Sequence, residues 1–281
     1  MLYWHCLILF FGGRSVLAFR TRFLKIWPAL FAALLVAAGF LTGVPNGQDL
    51  NNPKKPVQTK VMKVYGTSNS SILQGGCTDG TFVYLIFTDG ASSGAKDRLL
   101  KIDLAEQSVE QMSDPLEVDH GNDMTYNTKT GKLVVTHNAP NGKVLSFIDP
   151  KTLTVTKTKK IPDKVYGIAY DTLEDRYFLG ISGSYDFARY SAGLSKETVF
   201  PGRNNGATRQ GIEVYGDSIF FLYSSPNRIV KYTCDGTFVG AYNLPVTNGE
   251  PECLFFVQKT PYICYGTGGG SAVIYRLQME T

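Results

Sequence analysis

Apolar positions in this chain come in short runs of five to eight residues, rich in β-branched and aromatic side chains, and each run ends at Asn, Gly, Pro or Asp. Gly121 to Pro162 shows the pattern most openly, reading GNDMTYNTKTGKLVVTHNAPNGKVLSFIDPKTLTVTKTKKIP. It predicts four strands: GNDMTY, KLVVTH, KVLSFID and TLTVTKTKKI, the last with Thr/Val alternation and a lysine-rich outer end. Such runs between turn residues predict an antiparallel meander. A single meander cannot bury both of its faces, so the unit must recur.

Equivalents of the first strand begin at Gly76-Cys77-Thr78, Asp123-Met124-Thr125, Gly167-Ile168-Ala169, Gly211-Ile212-Glu213 and Glu252-Cys253-Leu254, spaced 47, 44, 44 and 41 residues apart. A second strand follows each: FVYLIF, KLVVTH, RYFLGI, SIFFLY and PYICYG. A third follows in turn: RLLKIDL, KVLSFID, FARYSA, RIVKYT and AVIYRL. Four of the five units carry a fourth segment, and the last stops at Leu277 after its third. A period of about 40–45 residues with four strands per unit predicts a β-propeller. Val57–Tyr65, VQTKVMKVY, supplies the missing strand and closes the ring. The expected fold is therefore all-β: a five-bladed propeller of four-stranded blades over residues 57–281, preceded by one amino-terminal membrane or signal helix. The rival all-β architecture is a sandwich, which also shows strands every 8–12 residues.

LLKIDLAEQSV at Leu99–Val109 and LSFIDPKTLTV at Leu145–Val155 resemble the YVTN-type repeats of quinoprotein-like and lactonase-like propellers. The resemblance covers about residues 62–281. It implies a propeller and no particular activity.

Charge changes the picture at the amino terminus. Residues 1–46 hold Arg14, Arg20, Arg22 and Lys25 and no acid, which accounts for the whole net charge of +4; the rest of the chain balances 24 basic against 24 acidic residues. A neutral domain lacks the basic surface that nucleic-acid binding needs. Ile26–Val44 is a run of 19 uncharged residues behind three basic ones. That order predicts a cytoplasmic segment at 1–25, a membrane or signal segment at 26–44, a Pro/Asn-rich linker at 45–56 and an extracytoplasmic domain. Retained anchor and cleaved signal are both compatible, since the small residues Ala37 and Gly39 stand two apart.

Candidate chemistry is sparse. No G-x-S-x-G, P-loop or Rossmann glycine motif sits in the right context, and no Cys/His spacing suggests zinc. Of the cysteines, Cys77 and Cys253 share a repeat column with Met124, Ile168 and Ile212, which predicts packed free thiols. Cys253 and Cys264 are expected to lie diagonally across a hairpin with a four-residue loop, too far apart for a disulfide. His120 and His137 are the only domain histidines, and no spacing joins either to a Ser/Asp pair. The polar residues where the innermost strands begin converge on one mouth of the channel: Gln74, His120, Asn122, Asp123, Tyr166, Arg209, Gln210, Glu250 and Glu252, with Glu213 one step further on. Two functions follow. One is a binding module for a polar small molecule, glycan, cell-wall polymer or peptide. The other is a metal-assisted hydrolase or lactonase in which Asn122, Asp123, Glu213 and Glu252 hold a hard cation such as Ca²⁺. A scaffold whose rim binds another protein is a third.

Overall fold

The computed structural model describes residue 50 and residues 53–89 and 96–279. The expected membrane or signal segment at 26–44 lies outside them. Each repeat becomes one sheet because its runs alternate faces while both faces are apolar. In KLVVTH, for example, Val134 packs toward the third blade and Val135 toward the first.

β1 spans Val57–Tyr65. Blade 1 holds β2 (Ser71–Thr78), β3 (Phe82–Asp89), β4 (Asp97–Asp103) and β5 (Ser108–Met112). Blade 2 holds β6 (Asp123–Asn127), β7 (Lys132–Thr136), β8 (Val144–Asp149) and β9 (Thr154–Lys160). Blade 3 holds β10 (Val165–Asp171), β11 (Arg176–Ile181), β12 (Phe187–Ser191) and β13 (Lys196–Phe200). Blade 4 holds β14 (Thr208–Tyr215), β15 (Ser218–Ser224), β16 (Arg228–Thr233) and β17 (Phe238–Asn243). Blade 5 holds β18 (Glu250–Val257), β19 (Thr260–Thr267) and β20 (Ser271–Gln278). All pairings are antiparallel meanders, and β1 completes blade 5 beside β20, from Val57 opposite Gln278 to Tyr65 opposite Ser271. The architecture and its closure are as the repeats predicted.

Five apolar clusters fill the five interfaces between neighbouring blades. A blade buried on both faces needs near-continuous hydrophobic strands, which is why FVYLIF and SIFFLY show no polar alternation. The outermost strands β5, β9 and β13 are largely polar, and β9 carries Lys157, Lys159 and Lys160, charges that discourage edge-to-edge pairing. Chain within the expected linker also meets the propeller: Lys54 N donates to Ala241 O (3.1 Å), and Asn243 N to Lys54 O (2.8 Å).

Two expectations about local geometry change. Four of the innermost strands begin two to five residues earlier than the sequence pattern placed them. The hairpin after β18 is also tighter than expected, with Val257 pairing directly with Thr260, so Cys253 stands opposite Cys264 and not diagonal to it. Both are buried free thiols, as is Cys77.

Candidate functional site

The innermost strands β2, β6, β10, β14 and β18 ring the axis and turn their free backbone edges toward it. Unpaired edge amides buried along the channel must find acceptors. The side chain of Asp123, 1% exposed, supplies them. Its Oδ2 accepts from Ile168 N (2.9 Å) and Ile212 N (3.0 Å), and its Oδ1 from Met124 N (2.9 Å). One carboxylate thus ties blades 2, 3 and 4 together at the axis. Burial pushes its pKa up, and the three amides pull the other way. Close approach dictates the glycines around it. A Cβ on Gly75 would stand 2.7 Å from Asp123 Cα, and one on Gly211 only 2.5 Å from Glu252 O. Below Asp123, Thr125 Oγ1 accepts from Tyr170 N (3.0 Å) in the same manner.

Bulges recur at the mouth end of four innermost strands, between Leu73 and Gly75, Val165 and Gly167, Arg209 and Ile212, and Pro251 and Cys253. The residues they release from pairing include Gln74, Tyr166, Gln210 and Glu252. A bulge re-aims side chains, so the ladder faults and the polar ring are one feature. Asn122 clamps blade 2 to blade 3, its Nδ2 donating to Tyr166 O (2.6 Å) while its Oδ1 accepts from Asn138 Nδ2 (3.2 Å). Arg209 lies against the rings of Tyr166 and Tyr185, 5.4 and 5.5 Å from their centroids, and donates to Ser184 O. Its charge therefore faces the blade 3 side. His120 precedes β6 in left-handed backbone (φ 57°), and its carbonyl accepts from Asn138 N (3.2 Å).

Glu250 and Glu252 open onto a cavity of about 550 Å³ on the mouth face, over blade 5 and reaching to blade 1. Its walls are the β1–β2 loop (Asn69, Ser70), the β15–β16 turn (Ser225, Asn227), the β17–β18 loop (Thr247, Asn248) and the glycine turn Gly268–Gly270. Asn227 holds the third wall in place, its Nδ2 donating to Val246 O and Gly249 O, each at 2.7 Å. Glu252 is 4% exposed. The Gln210 amide satisfies its neighbours when its oxygen accepts from Ser224 Oγ (3.0 Å) and its nitrogen donates to Glu252 Oε2 (3.0 Å). Burial first, then the neighbouring Glu250 and Asp123 carboxylates, push the Glu252 pKa up.

Glu213 is elsewhere. It lines a pocket of about 110 Å³ with Thr78, Thr125, Thr128 and Thr172, residues at the opposite end of the channel. Its Oε1 accepts from Val214 N (3.0 Å). Burial pushes its carboxyl up as well. The oxygens of Asn122, Asp123, Glu213 and Glu252 therefore do not converge, and among the described residues no group of three or more His, Cys, Asp or Glu side chains is gathered to hold a metal ion.

Blade 2 holds an arrangement that sequence spacing did not reveal. His137 Nε2 is 2.7 Å from Ser146 Oγ, and its Nδ1 is 3.4 Å from Asp119 Oδ2. Ser146 is 0% exposed inside β8 and His137 is 3% exposed, so the hydroxyl has no path to a substrate. The three knit β7 and β8 to the preceding loop, and burial pushes the His137 pKa down against the pull of Asp119.

No family model matches the chain, and no curated protein matches it. Solved structures do. The glutaminyl cyclase of Myxococcus xanthus superposes with a TM-score of 0.62 at 12% identity, over 82% of this chain and 100% of that one. A streptogramin B lyase gives 0.43 at 16% identity, over 73% and 65%, and a virginiamycin B lyase from Staphylococcus aureus gives 0.46 at 10%, over 80% and 99%. All three neighbours are enzymes by name. At its identity the first shares a fold with this chain and nothing finer, and the two lyases superpose too loosely to add to it.

Proposed function

We propose that this propeller is an extracytoplasmic binding module whose ligand is a polar small molecule, glycan or peptide, seated on the mouth face. The cavity beside Glu252 carries the reading. It joins a volume suited to a small ligand with a lining of Ser, Thr, Asn and Gly and two carboxylates, a composition that exchanges hydrogen bonds with a hydroxylated or amide-bearing ligand. The location rests on the basic residues ahead of Ile26–Val44. Calorimetric titration with soluble cell-wall fragments, oligosaccharides and short peptides tests the site. Binding by the wild type that is lost in Glu252→Gln supports it, and equal binding by the two proteins sinks it. A carboxy-terminal reporter active only in the cytoplasm would overturn the location.

A second reading is enzymatic, and one observation favours it. Glu252 is a buried carboxyl in the cavity wall whose pKa is raised chiefly by burial, the environment of a general acid. The glutaminyl cyclase shares this fold, which leaves the activity to the site itself. The metal-assisted form draws less support, because Asp123 already accepts three amides and Glu213 faces the far end. Turnover of candidate amides, esters or lactones that disappears in Glu252→Gln and persists in Glu213→Gln would establish this second reading.

A further inference from the structure

The cavity over blade 5 has an electrostatic imbalance. Glu250 and Glu252 are the charged side chains in its wall. The neighbouring Glu250 and Asp123 carboxyl groups both disfavour ionisation of Glu252. Among the described residues, neither glutamate is in an ion pair with a Lys or Arg. The obvious candidate, Arg209, is turned to the far side of β14, held by Tyr166, Tyr185 and Ser184. Glu252 lies against Gly266, its Oε1 3.8 Å from where a Cβ would stand, and that glycine lines the cavity. Gln210 occupies the other oxygen, Oε2. A carboxyl group so deeply buried ionises only at a cost unless a cation meets it. The fold spends a bulge on placing it there.

We propose that this cavity takes ligands carrying a primary ammonium group, held between Glu250 and Glu252, with the Ser, Thr and Asn walls binding a polar remainder. The inference rests on the ligand site proposed above and names the chemistry of its ligand. An ammonium offers three donors without an acceptor, which suits the Glu250 carboxyl group and the Oε1 of Glu252 beside Gly266. The rest of the lining is uncharged. The walls therefore fit a small hydroxylated or amide-bearing body, which an amino sugar and a peptide amino terminus both supply.

The test uses the full chain and matched pairs of probes. Glucosamine oligosaccharides are compared with N-acetylglucosamine oligosaccharides, and triglycine with N-acetyl-triglycine, by calorimetry at neutral pH. The free-amine member of at least one pair should bind about 10- to 100-fold more tightly than its acetylated partner, the range of a charge-assisted hydrogen bond. The pair that shows the difference identifies the source of the amine. Glu252→Gln should remove that preference, and so should Glu250→Gln, which alters an exposed residue and leaves the fold untouched. If acetylated and free probes bind alike and Glu252→Gln weakens both, the ammonium inference is wrong while the polar site stands. If no probe binds, or both variants bind as the wild type does, the site and the inference fail together.

Discussion

Replacing Asp123 tests whether the axis is a ligand site or a structural pin. Its carboxylate satisfies three buried N–H groups, two of them on the free edges of blades 3 and 4. Asp123→Ala orphans all three. A buried donor left without a partner costs about 1–3 kcal/mol, so the sum is roughly 3–9 kcal/mol. Relief of the buried charge offsets part of it, and a water entering the void would bring the cost to the low end. Domain stabilities are commonly about 5–15 kcal/mol, so the alanine variant should be severely weakened. Asp123→Asn keeps one acceptor. It should turn its oxygen to Ile168 N and Ile212 N and face its NH₂ toward Met124 N, losing about 1–3 kcal/mol. Both tryptophans, Trp4 and Trp27, precede the propeller, so urea unfolding should be followed by far-UV and tyrosine circular dichroism. The expected order of midpoints is wild type, then Asn, then Ala. An alanine variant within about 0.5 kcal/mol of the wild type would refute the pin and return Asp123 to the candidate ligands.

Removing residues 1–66 deletes β1, exposes β20 as an edge and strips Met62 and Val64 from the core. At about 1.5–3 kcal/mol per buried side chain the ring should unfold at much lower urea and aggregate, and an unchanged midpoint would contradict closure by β1. The raised pKa of Glu252 makes its contribution to stability complete below the ordinary value of 4.5 and lost as pH rises through the raised value. Glu252→Gln, which cannot ionise, should therefore gain in Tm over the wild type as pH rises from 4.5 to 8, and a constant difference across that range would show that the carboxyl is not perturbed. Iodoacetamide should label Cys234 before Cys77, Cys253 and Cys264 in the native protein, because Cys234 is half-buried while the other three are sealed in blade interfaces, and the reaction should be slow because burial pushes the Cys234 thiol up to about 11. Mass spectrometry showing early labelling of Cys253 or Cys264 would argue that blade 5 opens.

Blade count, strand order and closure were legible in the chain because they depend on local patterning. Turn residues punctuate every run, FVYLIF and its equivalents are apolar on both faces, and Val57–Tyr65 is the one strand-like segment without a unit of its own. The column of Cys77, Met124, Ile168, Ile212 and Cys253 was apolar in sequence and is buried in the fold, 2, 1, 0, 3 and 1% exposed. What each polar residue does at the mouth was decided by tertiary structure. Asp123 meets amides 45 and 89 residues away, and nothing in its own repeat distinguishes it from a ligand-facing acid. Glu213 is one residue beyond Ile212, and that step carries it to the other end of the channel. The four bulges that release Gln74, Tyr166, Gln210 and Glu252 belong to the pairing of each innermost strand with its neighbour, which the strand's own sequence does not show. The turns that wall the cavity have the same Ser, Thr, Asn and Gly composition as turns elsewhere in the ring. Only closure of blade 5 against blade 1 places them around Glu250 and Glu252, because a concave surface belongs to neighbouring segments in space and not to any one of them in sequence.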